Sequence, residues 1–277
     1  MTTTKQTPST PTDRILTRPG SQLAYSVQGS GPVVVSAHGL SMSRAAVLEA
    51  GTSFIGLGER GRTVVDYDAR GHGASTGRPI PADYTWTTLS EDLLALIDEV
   101  SPDAPVDAVG ASMGCATILH AAVAAPERFR RLVLVIPPTA WETRAVITSG
   151  YELQAKVIED QGLAAYLELA ASYPNPPALP PELRLDADVS EALLPAVFRG
   201  AARSDLPSPA EIARIQRPVL ILAWAGDPGH PLSTSEKLIA LLPDAELHVA
   251  TSPADVRQWV ARVDAFLSRP ARGYFLR

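Results

Sequence analysis

The chain has 277 residues, of which 45% are hydrophobic and 19% are charged, and its net charge is -6. This balance excludes an intrinsically disordered chain, and the length allows one large α/β domain or two small domains. No run of Lys or Arg and no apolar stretch of about 18 residues is present, which argues against a nucleic-acid partner and a membrane span.

The two ends of the chain predict tails. Residues 1–12 are rich in Thr and Pro, predict a disordered segment, and lack the apolar core of a secretion signal. Residues 269–277 predict a C-terminal tail. Cys115 is the single cysteine and cannot form an intrachain disulfide, so we expect a cytoplasmic protein.

Short apolar runs alternate with helical patterns from residue 13 onwards. Two weak runs, near Arg14–Thr17 and Gln22–Gln28, predict an opening antiparallel hairpin. The later runs are near-continuous Val, Ile and Leu, which is typical of strands buried on both faces of a parallel sheet. These strands are predicted at Pro32–Ala37, Thr63–Asp68, Val106–Gly110, Arg131–Ile136, Pro218–Trp224 and Glu246–Ala250.

Three helices between the strands are predicted from capping and periodicity. Two of them begin at Ser/Thr-x-x-Glu capping boxes, at Thr88 and at Ser233, and the last shows an apolar stripe from Val256 to Leu267. The alternation predicts a mostly parallel, eight-stranded, doubly wound α/β sheet, formed by residues 13–137 and 218–268.

Residues 138–217 interrupt the alternation with helical patterns and a proline-rich run at 173–181. The segment predicts a helical lid inserted after strand 6, or alternatively a purely structural excursion. Its aromatic residues would line an apolar pocket or form the core of the lid. They are Trp141, Tyr151, Tyr166, Tyr173 and Phe198.

Ser112 is the strongest candidate for a nucleophile. It lies in Gly110-Ala-Ser112-Met-Gly114, between a predicted strand and a predicted helix. A strand that turns sharply into a helix strains the corner residue, and small neighbours let its side chain stand above the sheet. The helix N-terminus favours developing negative charge. Cys115, just after the elbow, is predicted to be a small packing residue.

With three further motifs, the elbow resembles the α/β-hydrolase family over residues 13–268. One motif, Ala37-His38-Gly39-Leu40, is similar to the family's oxyanion loop. A second, Asp66–Ser75, is similar to the turn after the next strand, and a third, Pro218–Pro228, is similar to the strand and loop that supply the acid.

The resemblance implies roles for four residues. The backbone N–H groups of Leu40 and Met113 would form the oxyanion hole, and Asp227 would be the triad acid. Glu142 is an alternative position for the acid in some relatives. No cofactor is expected, and no metal, since the sequence has neither a Cys/His cluster with metal spacing nor a phosphate loop.

The histidine that the family carries after its last strand is missing. The strand ending at Ala250 is followed by Thr251–Asp255 and at once by the last helix. His230 lies three residues past Asp227, on a loop that we expect to border the pocket. Two interpretations remain open: His230 replaces the missing base, or it is a polar residue at the rim.

The other four histidines are predicted to have structural roles. His38 precedes the oxyanion glycine, close to the site. His72 lies in a glycine-rich turn and is predicted to be a turn or surface residue. His120 lies on the helix behind Ser112 and points away from the pocket. His248 is a packed or surface residue in the middle of a strand.

Two functions follow from these residues. The first is a serine hydrolase of a small or medium apolar ester, thioester or related carbonyl substrate, with Ser112, His230 and Asp227 as its catalytic residues. The second is a protein of the same fold with an incomplete triad, which binds a small molecule or performs non-hydrolytic chemistry. The expected partner is an apolar small molecule, and no motif indicates an oligomeric state.

Overall fold

The computed structural model describes residues 12–270 and shows one eight-stranded sheet. Almost all of the two predicted tails lies outside the described residues. The strands are β1 (Thr12–Arg18), β2 (Ser21–Gly29), β3 (Val33–Ala37), β4 (Thr63–Tyr67), β5 (Val106–Ala111), β6 (Phe129–Val135), β7 (Val219–Trp224) and β8 (Ala245–Ala250).

The order of the strands is β1-β2-β4-β3-β5-β6-β7-β8. The first two form the predicted antiparallel hairpin, and β2 is also antiparallel to β4, whereas every other neighbouring pair is parallel. The mostly parallel, eight-stranded sheet predicted from the alternation of strands and helices is therefore confirmed.

Helices cover both faces of this sheet. The helices are α1 (Arg44–Glu49), α2 (Trp86–Val100), α3 (Met113–Ala124), α4 (Arg144–Ala171), α5 (Leu194–Ala202), α6 (Pro209–Ile212), α7 (Leu232–Leu241), α8 (Pro253–Val256) and α9 (Trp259–Leu267). Apolar residues of α2, α3 and α7 pack on one face, and those of α9 pack on the other. Within residues 12–270, no helix has both the length and the apolarity to cross a bilayer.

Two predicted helix starts are wrong. The capping residue of α2 is Thr85, whose side chain accepts a hydrogen bond from the Thr88 N–H at 3.4 Å, so Thr88 lies inside the helix. Helix α7 begins at Leu232, directly after Pro231, so Ser233 is also internal. In both cases the Ser/Thr-x-x-Glu pattern lies within a helix that an earlier residue begins.

Residues 136–218, between β6 and β7, contain α4, α5 and α6 and are called the insertion below. Helix α4 is kinked at Gly162, whose φ of 86° is not helical. Tyr166 and Phe198 pack in a small apolar core of the insertion. The helical content agrees with the prediction for residues 138–217, and the role of a lid stays a prediction.

Candidate active site

Ser112 occupies the sharp corner between β5 and α3. Its φ of 51° and ψ of -110° form a conformation that costs a residue other than glycine about 1–3 kcal/mol. The Ser112 N–H donates to the Val135 carbonyl at 2.9 Å, which holds the corner against β6. The serine side chain does not cap α3 and instead points towards the loop after β7. The chain therefore has the strained elbow that the Gly-x-Ser-x-Gly pattern predicts.

Close backbone approaches require the two glycines of the elbow. A Cβ atom on Gly110 would lie 2.4 Å from the Gly114 carbonyl oxygen, and one on Gly114 would lie 2.2 Å from the Ala37 carbonyl oxygen. A side chain at either position would push α3 away from β3 or β5. Cys115 is buried beneath the elbow, and burial raises the pKa of its thiol, so it is a packing residue as predicted.

His230 reaches Ser112 from the loop between β7 and α7. Its Nε2 lies 2.7 Å from Ser112 Oγ, and its Nδ1 lies 2.7 Å from Asp227 Oδ2. An ionised carboxylate only accepts, so Nδ1 donates its proton to Asp227 and Nε2 accepts from the serine hydroxyl. The three side chains form one hydrogen-bonded series, a geometry in which a histidine can act as a base.

A tight turn brings Asp227 and His230 together. The Gly229 N–H donates to Asp227 Oδ1 at 2.9 Å, and the His230 N–H donates to the Asp227 carbonyl at 3.1 Å. An aspartate that accepts from the backbone two residues further on forms an Asx-turn, which reverses the chain locally. The turn therefore places the two side chains within reach of each other.

Trp224, the last residue of β7, also holds Asp227. Its indole N–H donates to Asp227 Oδ2 at 2.9 Å, and its ring stacks on Trp259 with centroids 5.8 Å apart. Burial alone would raise the pKa of Asp227, but hydrogen bonds from His230, Trp224 and Gly229 bring it down to about 2. Trp224 was not predicted as a site residue, and its spacing of three from Asp227 is the only signal that the sequence carries.

The loop after β3 lies directly against Ser112. A Cβ atom on Gly39 would lie 3.6 Å from Ser112 Cβ, and Leu40 lines the cavity beside it. His38 is buried behind this loop, where its Nδ1 donates to the Gly39 carbonyl at 2.8 Å and its Nε2 accepts a backbone N–H at 2.9 Å. Burial lowers the pKa of His38, which favours this neutral form. The oxyanion role of Leu40 and Met113 stays a prediction.

His72 lies in the predicted turn after β4, but the alternative of a surface position is wrong. Its side chain is fully buried, because Val189 of the insertion pairs with it through an isolated β-bridge. Burial and the nearby His38 lower the pKa of His72 to about 3. It does not contact the hydrogen-bonded residues Ser112, His230 and Asp227.

The remaining candidates are held elsewhere. His120 Nε2 lies 2.9 Å from the Asp205 carbonyl, away from the cavity. His248 lies on β8 beside an arginine of α9. Glu142, the alternative acid, is exposed and forms an ion pair with Lys237 at 2.7 Å. Asp227 is therefore the carboxylate that the fold brings to His230.

A cavity of about 400 Å³ opens above Ser112 and His230. Ser112, His230 and the loop after β3 form its floor, and the insertion contributes much of its wall. Of the five predicted aromatics, Tyr151 and Tyr173 line the cavity, whereas Tyr166 and Phe198 pack in the core of the insertion. Trp141 packs against the core of the sheet. Within residues 12–270, no three His, Cys, Asp or Glu side chains are grouped to hold a metal.

Comparisons with known proteins agree with this architecture. A family model for the α/β hydrolase fold matches residues 32–255. A hydrolase of known structure from Pseudomonas aeruginosa PA01 superposes with a TM-score of 0.76 at 26% identity, covering 93% of this chain and 98% of that chain. The esterase EaEST from Exiguobacterium antarcticum superposes with a TM-score of 0.74 at 17% identity, covering 91% and 97%, and supports the fold alone.

Two curated relatives are similar over part of their length. The chain is 30% identical over 176 residues to 3-oxoadipate enol-lactonase 2 of Acinetobacter baylyi, which is 60% of this chain and 61% of the lactonase. It is 29% identical over 199 residues to the putative carbamate hydrolase RutD of Cronobacter sakazakii, which is 67% of this chain and 71% of that protein.

Proposed function

The chain belongs to the α/β-hydrolase fold family, and we propose that it is a serine hydrolase of small or medium apolar esters, thioesters or related carbonyl compounds. One observation carries the proposal: the hydrogen-bonded chain from Ser112 through His230 to Asp227, with 2.7 Å at each link. The names of the two curated relatives, a lactonase and a carbamate hydrolase, support the same class of reaction.

In the proposed reaction, Ser112 Oγ attacks the substrate carbonyl while His230 Nε2 takes the hydroxyl proton. Asp227, ionised because its pKa is held at about 2, stabilises the imidazolium. His230 then protonates the leaving oxygen or sulfur, and the acyl-serine is hydrolysed by a water that the neutral imidazole activates. The backbone N–H groups of Leu40 and Met113 would receive the oxyanion, at about 3 kcal/mol for each donor.

The alternative of a binding or non-hydrolytic protein depends on the triad being incomplete. The contact between His230 Nε2 and Ser112 Oγ supports a complete triad and so favours hydrolysis. The mostly apolar walls of the cavity support an apolar substrate. A cytoplasmic location and the lid role of the insertion are parts of the same proposal, the former supported by the single free thiol of Cys115.

Ester turnover tests the proposal. We expect the purified protein to hydrolyse nitrophenyl esters of short or medium acyl chains, and Ser112→Ala to lose about 10³-fold or more of kcat/KM. Ser233→Ala is the matched control, since Ser233 is an exposed serine of α7. A folded wild type that hydrolyses none of these nitrophenyl esters, or full activity in Ser112→Ala, would contradict the proposal.

A further inference from the structure

A buried arginine lies behind the cavity wall, at the start of α4. Arg144 is 5% exposed, and among residues 12–270 no carboxylate forms an ion pair with it, although the charge of Asp205 acts on it at longer range. Its guanidinium donates to the carbonyls of Ser204, at 2.8 Å, and Ala201, at 2.5 Å, and to the hydroxyl of Thr139, at 3.2 Å. Burial of a cation with neutral partners is costly, and the ring of Trp86, 4.2 Å from the guanidinium carbon, offsets part of this cost.

Tyr151 connects this cation to the cavity. The guanidinium carbon of Arg144 lies over the ring of Tyr151, 5.3 Å from the ring centre. The ring stacks on Phe198 with centroids 5.9 Å apart, which fixes its orientation. The phenolic O–H of Tyr151 is a hydrogen-bond donor. Tyr151 lines the same cavity as Ser112.

The cavity has few other charged groups. Among the described residues that line it, none is Lys or Arg, and Asp227 is the one carboxylate. That carboxylate is already engaged by His230, Trp224 and Gly229. Burial raises the pKa of Tyr151, so its hydroxyl remains a donor at neutral pH, and the adjacent cation increases the polarity of its O–H bond.

We propose that Tyr151, supported by Arg144, binds a second acceptor oxygen of the substrate, either an ester carbonyl or a carboxylate, at a distance from the bond that Ser112 attacks. The substrates are then bifunctional carbonyl compounds: diesters, or monoesters that also carry a carboxylate. A buried donor rejects a substrate that leaves it unpaired, so it provides discrimination as well as affinity. The inference deepens the proposed function and rests on it for the reaction, whereas the binding of the acceptor can be measured alone.

Kinetics with two short ester series test the specificity. Monomethyl adipate, dimethyl adipate and methyl heptanoate place a carboxylate, an ester or no acceptor on the acyl side. γ-Acetoxybutyrate, its methyl ester and pentyl acetate place a carboxylate, an ester or no acceptor on the alcohol side. We expect Tyr151→Phe to lower kcat/KM about 10-fold for an ester acceptor and up to about 100-fold for a carboxylate in one of the series. The esters without an acceptor should change by less than about two-fold.

Binding without turnover separates this inference from the proposed reaction. In the Ser112→Ala background, the same compounds are titrated by the fluorescence of Trp224 and Trp259, which line the cavity. Addition of Tyr151→Phe should weaken the binding of the acceptor-bearing ligands selectively, by the same factor by which it lowers kcat/KM. Tyr173→Phe is the matched control, because Tyr173 lines the cavity but is 68% exposed.

The outcomes are distinct. A selective loss in either series supports the inference, and the more affected acceptor identifies the ester or the carboxylate as the preferred group. Equal losses for all compounds, or equal losses in Tyr151→Phe and Tyr173→Phe, overturn it. If no ester is hydrolysed but binding still depends on Tyr151, the proposed reaction fails and the acceptor site stands. If the Ser112→Ala protein binds none of the acceptor-bearing compounds, the acceptor site fails.

Discussion

The elbow around Ser112 and the loop around His230 position their side chains by different physical means. Backbone contacts hold the elbow: Ser112 is strained, and Gly114 is pressed against the carbonyl of β3. The loop is half-exposed and is held by an Asx-turn and by hydrogen bonds to Asp227. The position of Ser112 is thus tied to the sheet, whereas an imidazole can come from any loop that reaches the same cavity.

Removal of the His230 imidazole from the loop should have the largest effect. We expect His230→Ala to lower kcat/KM for a nitrophenyl ester about 10³- to 10⁴-fold, because Ser112 then has no proton acceptor. The free energy of unfolding should change by less than about 1 kcal/mol, since His230 is only partly buried. His248→Ala removes a partly exposed histidine of β8 as the matched control. Equal losses in the two variants would show that the loop supplies no base.

An added methyl group should destabilise the protein far more in the elbow than in the loop. Gly114→Ala puts a methyl group against a backbone oxygen and should lower the free energy of unfolding by about 3 kcal/mol or more. Gly229→Ala brings a methyl group within 3.3 Å of Asp227 Oδ1, a side-chain atom that can shift, and should cost less than about 1 kcal/mol. Urea unfolding measures the stability of both variants. Similar losses of stability would contradict the difference between the elbow and the loop.

Acid should weaken the loop selectively. The pKa of Asp227 is lowered from 3.8 in a model compound to about 2 in the folded chain, so its ionised form stabilises the folded state by about 2 kcal/mol. This contribution is complete above about pH 4 and is lost as the pH falls towards 2. Asp227→Asn should therefore be less stable than the wild type at pH 6, and the difference should shrink as the pH approaches 2. A constant difference across urea titrations at these pH values would contradict the assignment.

The smallest effect concerns the support of the aspartate. Trp224→Phe removes the indole N–H that donates to Asp227 and should lower kcat about 10-fold with little change in KM. Trp259→Phe is the matched control, because it alters the stacked pair but keeps that hydrogen bond. If the two variants lose the same activity, Trp224 acts through packing and not through Asp227.

Local constraints explain which parts could be predicted. The elbow is encoded in five consecutive residues, because a strained corner needs small neighbours within the same turn. The sheet followed from runs of Val, Ile and Leu, which report burial directly. The starts of α2 and α7 were wrong because capping patterns also arise inside helices, and the true first residues, at Trp86 and Leu232, depend on the preceding turn.

Long-range contacts explain the rest. The spacing between Asp227 and His230 was visible, but whether His230 faces Ser112 depends on an Asx-turn and on the end of β7. His72 was predicted in its turn but not as a buried residue, because the segment that covers it is more than a hundred residues away in the chain. Trp224 was missed because, at the end of a buried strand, it is indistinguishable from a core residue.

Labelling of Ser112 by a fluorophosphonate probe tests the central claim most directly, since the rate reports how strongly the imidazole of His230 activates the serine. We expect fast labelling of the wild type, an adduct that mass spectrometry locates on Ser112, and labelling about 10³-fold slower in folded His230→Ala. Labelling of His230→Ala at the wild-type rate, or an adduct on another residue, would contradict it.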